Sequence, residues 1–244
     1  MEDIAPELYK KIEADFNAAV KNDTTIKTLA GKLNKRPLTA GEMRTISTRL
    51  GNHASKALQK TLTIENLPDG KLYWNIAERT IKPVMEQVYN ASNSLEMLSL
   101  RLKDRAAGVN IAVSKGIDPT ARIKEIMDFA TNSKTAEELE NALNLPVKTT
   151  ALDFDDDFME ANAQIRDGMG FQQVITREYD GVGLGGGKYQ CSWCIGRAGT
   201  YYSYQEAKEA GAFERHTGCG CTIDWTTSDK VTNDEVTGAI DLPF

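Results

Sequence analysis

The sequence predicts an α+β protein, predominantly α. A helical region over residues 1–150 should lead into a small α+β module over 151–226, followed by an extended polar tail over 227–244. Three observations predict this. Apolar residues recur at 3.6-residue spacing through the first 145 positions. Short β-branched segments and a glycine-rich loop take over near residue 170. All four cysteines and one of the two histidines then fall between positions 191 and 221.

Taken in order, Thr39-Ala-Gly-Glu42 has the form of a capping box, opening a helix with Met43, Ile46, Leu50, Ala54, Ala57 and Leu58 on one face and an end near Thr61. Leu67-Pro-Asp-Gly70 is a turn, since Pro presets φ, Asp bonds locally and Gly tolerates positive φ. A longer stripe follows through Tyr73, Trp74, Ala77, Ile81, Val84, Met85 and Val88. Pro83 within it lacks a backbone donor, which predicts a kink or two abutting helices. Asp118-Pro119 reads as a helix start, Thr135-Ala-Glu-Glu138 as a second capping box, and Pro146 as the close of the helical region.

A new helix is expected with Phe154, Phe158, Ala161 and Ile165 on one face. Asp153 and Asp155 to Asp157 would lie at its start, where the macrodipole favours negative charge, and Gly168 and Gly170 would stop it. Phe171 to Tyr179 reads as a strand, Thr222 to Trp225 as a short return strand. The closing segment is thin in apolar residues.

Composition narrows the function classes. The chain is 41% hydrophobic and 26% charged, has no apolar run long enough to span a membrane, and does not open on a secretory-type sequence. A reducing compartment is therefore expected, where grouped cysteines point to metal or catalysis before disulfides. The net charge of −6 gives no bulk attraction to nucleic acid, although a local basic patch remains compatible with it.

The cysteines are spaced Cys191-x-x-Cys194, then His216-x-x-Cys219-x-Cys221. Two close thiolates supply two corners of a tetrahedron, and a second pair from a distant segment supplies the others. Gly196, Gly199, Gly218 and Gly220 would let the knuckles turn. A structural metal site, most simply zinc, is expected over Cys191, Cys194, His216, Cys219 and Cys221. Five donors meet four corners, so one stays out and the spacing does not say which.

Other signals take plainer readings. The deaminase signature is missing around both cysteine pairs, and His53 reads as a helix-surface or packing residue. Gly181-Val-Gly-Leu-Gly-Gly186 matches a dinucleotide pattern but leads into a cysteine knuckle instead of a helix. The aspartates lack the ordered ligands of a calcium loop. Tyr201, Tyr202 and Tyr204 are expected to pack on the small core before they would stack bases.

This succession of short helix, strand, glycine-rich loop, Cys-x-x-Cys, Gly-Thr-Tyr-Tyr and Phe213-Glu-Arg-His216-x-x-Cys219-x-Cys221-Thr-Ile-Asp resembles the C-terminal module of MuF-like head morphogenesis proteins, the minor capsid proteins of tailed bacteriophages. The resemblance runs from about Leu152 to Trp225. More weakly, Leu72 to Ile81 is similar to those proteins' helical N-terminal regions. It implies a structural, non-enzymatic virion protein, made in the host bacterial cytoplasm, that contacts the portal or major capsid protein at the capsid interior or portal vertex. Phage DNA is a further implied partner; no membrane or small-molecule substrate is implied. Only the metal-type positions carry over, since the family supplies no catalytic residues. The alternatives are a DNA-binding zinc module acting in packaging or ejection, and a phage-delivered hydrolase or toxin.

Overall fold

A computed structural model describes residues 3–188 and 190–227. Its order is α1 (Ala5–Asn22), α2 (Thr24–Lys32), α3 (Ala40–Thr61), α4 (Trp74–Ala106), α5 (Thr120–Thr131), α6 (Ala136–Ala142), α7 (Leu145–Gly168), β1 (Gln173–Glu178), α8 (Ser192–Ile195), β2 (Gly199–Tyr201), α9 (Tyr204–Glu209) and β3 (Thr222–Thr227). The expected class is present: a mostly helical N-terminal region, then a small three-stranded antiparallel sheet with the Cys/His cluster beside it. Thr226 and Thr227, assigned to the tail or its border, belong to β3; the remainder of the expected tail lies outside the described residues.

Local signals set most helix ends. Thr39 Oγ1 accepts from the Glu42 amide and Glu42 returns to the Thr39 amide, so α3 opens on the expected capping box and ends at Thr61. At α6 only half of that motif forms: Thr135 accepts from the Glu138 amide, while the Glu138 carboxylate takes the Lys134 amide. At α5 the N-cap position falls on Pro119 and not on Asp118, which lies just before it and accepts from the Thr120 amide at 2.8 Å. Short 3₁₀ turns at Ile64–Asn66 and Pro68–Gly70 make the predicted reversal, with Asp69 at φ 52° and Gly70 at φ 66°. Across Pro83 there are not two abutting helices: α4 runs as one element of 33 residues, about 50 Å at the usual rise.

Two expectations fail together at α7. Pro146 does not close a helical region; it sits in the first turn of a new helix, where its missing N–H costs nothing. That helix begins at Leu145, so Asp153 and Asp155 to Asp157 lie in mid-helix and buried, not at an exposed start. The apolar face of α7 extends back through Val147 and Ala151, and this burial outweighs the pull of four carboxylates toward a helix terminus. The helix passes through residue 150 unbroken. At its crossing with α3, a Cβ on Gly51 would meet the Ala151 Cβ at 2.8 Å and the Lys148 backbone at 3.2 Å, so only glycine permits this approach.

One apolar core joins α1 to α7 around Ile46, Leu58, Ile81, Met85 and Phe154. A second lies between α4, α7, α9 and the sheet, built on Leu100, Phe158, Ile175, Phe213, Ile223 and Trp225. The sheet order is β2-β1-β3, with Ile175 opposite both Tyr201 and Trp225. Strand alternation turns Gln173, Ile175 and Arg177 inward. Gln173 is fully used there, accepting from Trp225 Nε1 at 2.8 Å and donating to the Ala163 carbonyl at 2.8 Å. Arg177, the last inward residue, is delivered to the cysteine cluster.

Candidate metal centre

The Cys-x-x-Cys segment folds as one short helical turn. Cys191 caps α8, its Sγ accepting from the Cys194 amide at 3.4 Å, while its own amide donates to the Tyr179 hydroxyl at 2.9 Å. The second half-site turns through a Cys219 amide bond to the His216 carbonyl, with Gly218 at φ +83°. Gly218 also donates to Thr149 Oγ1 of α7 at 2.8 Å and accepts from Leu184. Gly220 has a different reason to be glycine, because a Cβ there would run into the Val182 carbonyl. Gly196 and Gly199 have no positive φ, so their expected role in turning the knuckles is not the one they play.

All five predicted donors come together, in two groups that share Cys194: Cys191, Cys194 and His216, and Cys194, Cys219 and Cys221. His216 Nε2 lies 3.2 Å from Cys191 Sγ and 3.1 Å from Cys194 Sγ, and Cys194 Sγ lies 3.6 Å from Cys219 Sγ. His216 Nδ1 is 2.9 Å from the Thr217 carbonyl, which fixes the proton there and turns the Nε2 lone pair to the sulfurs. Trp193 stands edge-on against the imidazole at 5.1 Å. The four sulfur-bearing residues are 0–7% exposed. This group could hold a metal ion: the donors are borderline-soft, closely spaced, and include an imidazole with its second nitrogen already bonded.

The charges around the sulfurs were not legible in the spacing. Arg177 Nη2 approaches Cys219 Sγ at 3.4 Å and Arg215 Nη1 at 4.0 Å. The Cys221 thiol donates to Cys219, and that hydrogen bond, with both guanidinium groups nearby, pulls the Cys219 thiol below the usual range. Burial and the Cys219 charge push Cys194 up to about 11, and Cys221 is raised as the donor of that shared proton. Arg177 is anchored by the Ala212 and Glu214 carbonyls, both at 2.6 Å. Arg197 lies over the Trp193 ring at 3.9 Å.

Arg215 also reaches back into the helices, where it forms a two-point ion pair with Asp156 of α7. The neighbouring acids are distributed to different elements. Asp157 and Asp153 meet Arg122 of α5, and Asp155 accepts from Ser47 of α3 at 2.6 Å. The signal that could have found this hub was four acids in the middle of a strongly apolar helical stripe, with Arg215 adjacent to a candidate ligand.

Burial pushes Asp155 up to about 8 against the Ser47 hydrogen bond, with the Asp156 charge adding to the rise. A carboxyl whose folded pKa is raised keeps its proton between about pH 4 and pH 8 while the unfolded chain releases it, so stability declines as pH rises through that window. Asp155→Asn is expected to flatten the decline by up to about 1.4 kcal/mol per pH unit. Denaturant midpoints from pH 5 to 9 at fixed metal loading, wild type against variant, measure it; an unchanged slope would refute the assignment.

The remaining candidates are placed as follows. His53 Nε2 lies 2.8 Å from Asp23 Oδ2, a packing role at the α2 cap. The Gly181–Gly186 loop opens no helix and is closed by a Val182–Lys188 bridge. Tyr204 is buried and Tyr201 bonds the Arg197 carbonyl, whereas Tyr202 is 71% exposed. Among the described residues no helix is long and apolar enough to cross a membrane. Comparison of the chain with protein-family models, with curated proteins and with solved structures finds no match.

Proposed function

We propose that this chain is a structural assembly protein in which a helical region docks to assembly partners and a zinc site staples the small C-terminal module. Its setting, on the resemblance of residues 152–225, is the head of a tailed bacteriophage, as a minor capsid protein contacting portal or major capsid protein. The observation that carries the structural reading is the closed donor set. Cys191, Cys194, His216, Cys219 and Cys221 converge from two segments in a buried cluster, and protein donors suffice for every corner of a tetrahedron. Zinc bound there contributes folding free energy, because it links segments that the unfolded chain holds apart.

The charge balance supports that reading. Several thiolates on one divalent ion leave excess negative charge, and Arg177 and Arg215 stand beside Cys219 to offset it. The expected result is near-stoichiometric zinc in protein purified without added metal, and the chain itself in purified phage particles by mass spectrometry. Protein free of metal sinks the zinc assignment. Particles lacking the chain sink the head-assembly assignment independently.

A further inference from the structure

Away from the cysteine cluster, a groove of about 470 Å³ runs along the outer face of α3. Arg44, Arg49, His53 and Lys56 line it on the helix side, and Gly183, Leu184 and Gly186 of the glycine-rich loop form the opposite wall. Thr48 and Asn52 add neutral donors between the cations, while the Thr45 hydroxyl donates back to the Gly41 carbonyl at 2.7 Å. Among the described residues the lining contains no carboxylate, in a chain whose net charge is −6. This concentration of one sign is local, so chain-wide composition hides it.

Of the two acids nearby, Asp23 is set back, whereas Asp180 is 48% exposed and faces Arg44. Asp23, which meets Arg49 at 2.9 Å and His53 at 2.8 Å, has a buried carboxylate committed to the α2 cap. Arg49 keeps 43% of its side chain exposed. Arg44 donates to the Gly220 carbonyl and lies 3.6 Å from Asp180 at the groove's end. Lys148 of α7 is held below the ordinary lysine range by burial and then by the Lys56 ammonium, so two cations crowd here.

We infer that this groove binds the phosphodiester backbone of a nucleic acid strand. Arg44 and Lys56 are twelve residues apart, which places about 18 Å of helix axis between them. Along that length lie three cations, of which Arg44 and Arg49 each also face one carboxylate, with the Thr48 hydroxyl and the Asn52 amide between them. A lone phosphate would be satisfied at one end, whereas a strand, with a charge every 3.4 Å or so of axis, uses the whole row. On the opposite wall Gly183 and Gly186 carry no side chain, so a backbone can approach on either side of Leu184. The site reads phosphate and not sequence, and it is independent of the zinc assignment.

The test uses the full chain and a fluorescently labelled duplex oligonucleotide, read by anisotropy across a salt titration. Wild type is expected to bind with a slope of log K on log salt near −2.7, about 0.9 for each of three cations. Arg49→Gln with Lys56→Gln should weaken binding at least about tenfold and reduce the slope by about 1.8. Because Arg49 also meets Asp23, Thr48→Glu serves as a second variant that leaves that pair in place, and it should lose binding likewise. Lys71→Gln with Lys124→Gln, equal in charge change and outside the groove, should bind as wild type does. Equal loss in that control, or no binding by wild type, overturns the proposal. Displacement by inorganic tripolyphosphate at equal phosphate concentration overturns the strand assignment in favour of a compact phosphate ligand.

Discussion

Chelation of the metal is expected to release residues 179–188, 190–198 and 215–221 while leaving α1 to α6 folded. The two groups differ in what holds them. The helices share an apolar core of their own, in which Ile46, Leu58, Ile81 and Phe154 are fully buried, and each such side chain contributes about 1.5–3 kcal/mol. The cysteine segments have no comparable core; Cys191, Cys194, Cys219 and Cys221 pack mainly against one another, Tyr179 and Trp193. A structural zinc site at neutral pH supplies on the order of 10 kcal/mol of folding free energy, far more than those contacts replace. The sheet stands between the two, since Ile175, Ile223 and Trp225 pack on Phe158 and Leu100. It should therefore loosen at its Arg177 end and persist at Gln173. Hydrogen exchange with and without chelator measures this segment by segment, and far-ultraviolet circular dichroism should keep most of its helical amplitude. Simultaneous loss of α1 to α6 would show one cooperative unit and contradict the division of labour.

Periodicity and caps were enough to place α3, α5 and the first half of α4, because each helix announces its apolar face locally, but not the unbroken course of α4 past Pro83 to Ala106. The return strand β3 was legible for the same reason, from alternation over Thr222 to Trp225. The cysteine cluster was legible because chelation constrains spacing directly. What failed was long-range. Nothing near Asp156 in sequence indicates that Arg215, fifty-nine residues on, will arrive to neutralise it, so the aspartates read as a solvated helix start. The groove along α3 was hidden for a related reason: its cations come from one helix, but what makes them a site is the glycine loop folded back against them.

The pair that hides best should also be the costliest to break. Arg215→Met is expected to destabilise the protein by about 3–5 kcal/mol, because it leaves the Asp156 carboxylate, 0% exposed, without its ion-pair partner. Asp156 could respond by keeping a proton: burial already pushes it up to about 6, even with Arg215 present. The loss should therefore be smaller at pH 5 than at pH 8. Asp156→Asn alone should cost less, since the Arg215 guanidinium retains the Cys221 carbonyl at 2.8 Å and the Cys219 sulfur at 4.0 Å. Asp156→Asn with Arg215→Met removes both charges and should recover much of the loss, giving a coupling of about 1–3 kcal/mol in a double-mutant cycle on denaturant midpoints. Arg215 also faces the Cys219 sulfur, so both variants that lack it should release metal to a chelator faster than wild type, and the Asp156 single variant should not. Recovery of stability without recovery of metal retention separates the two partners of Arg215. Strict additivity of the two substitutions would mean that the ion pair does not join the helices to the metal centre.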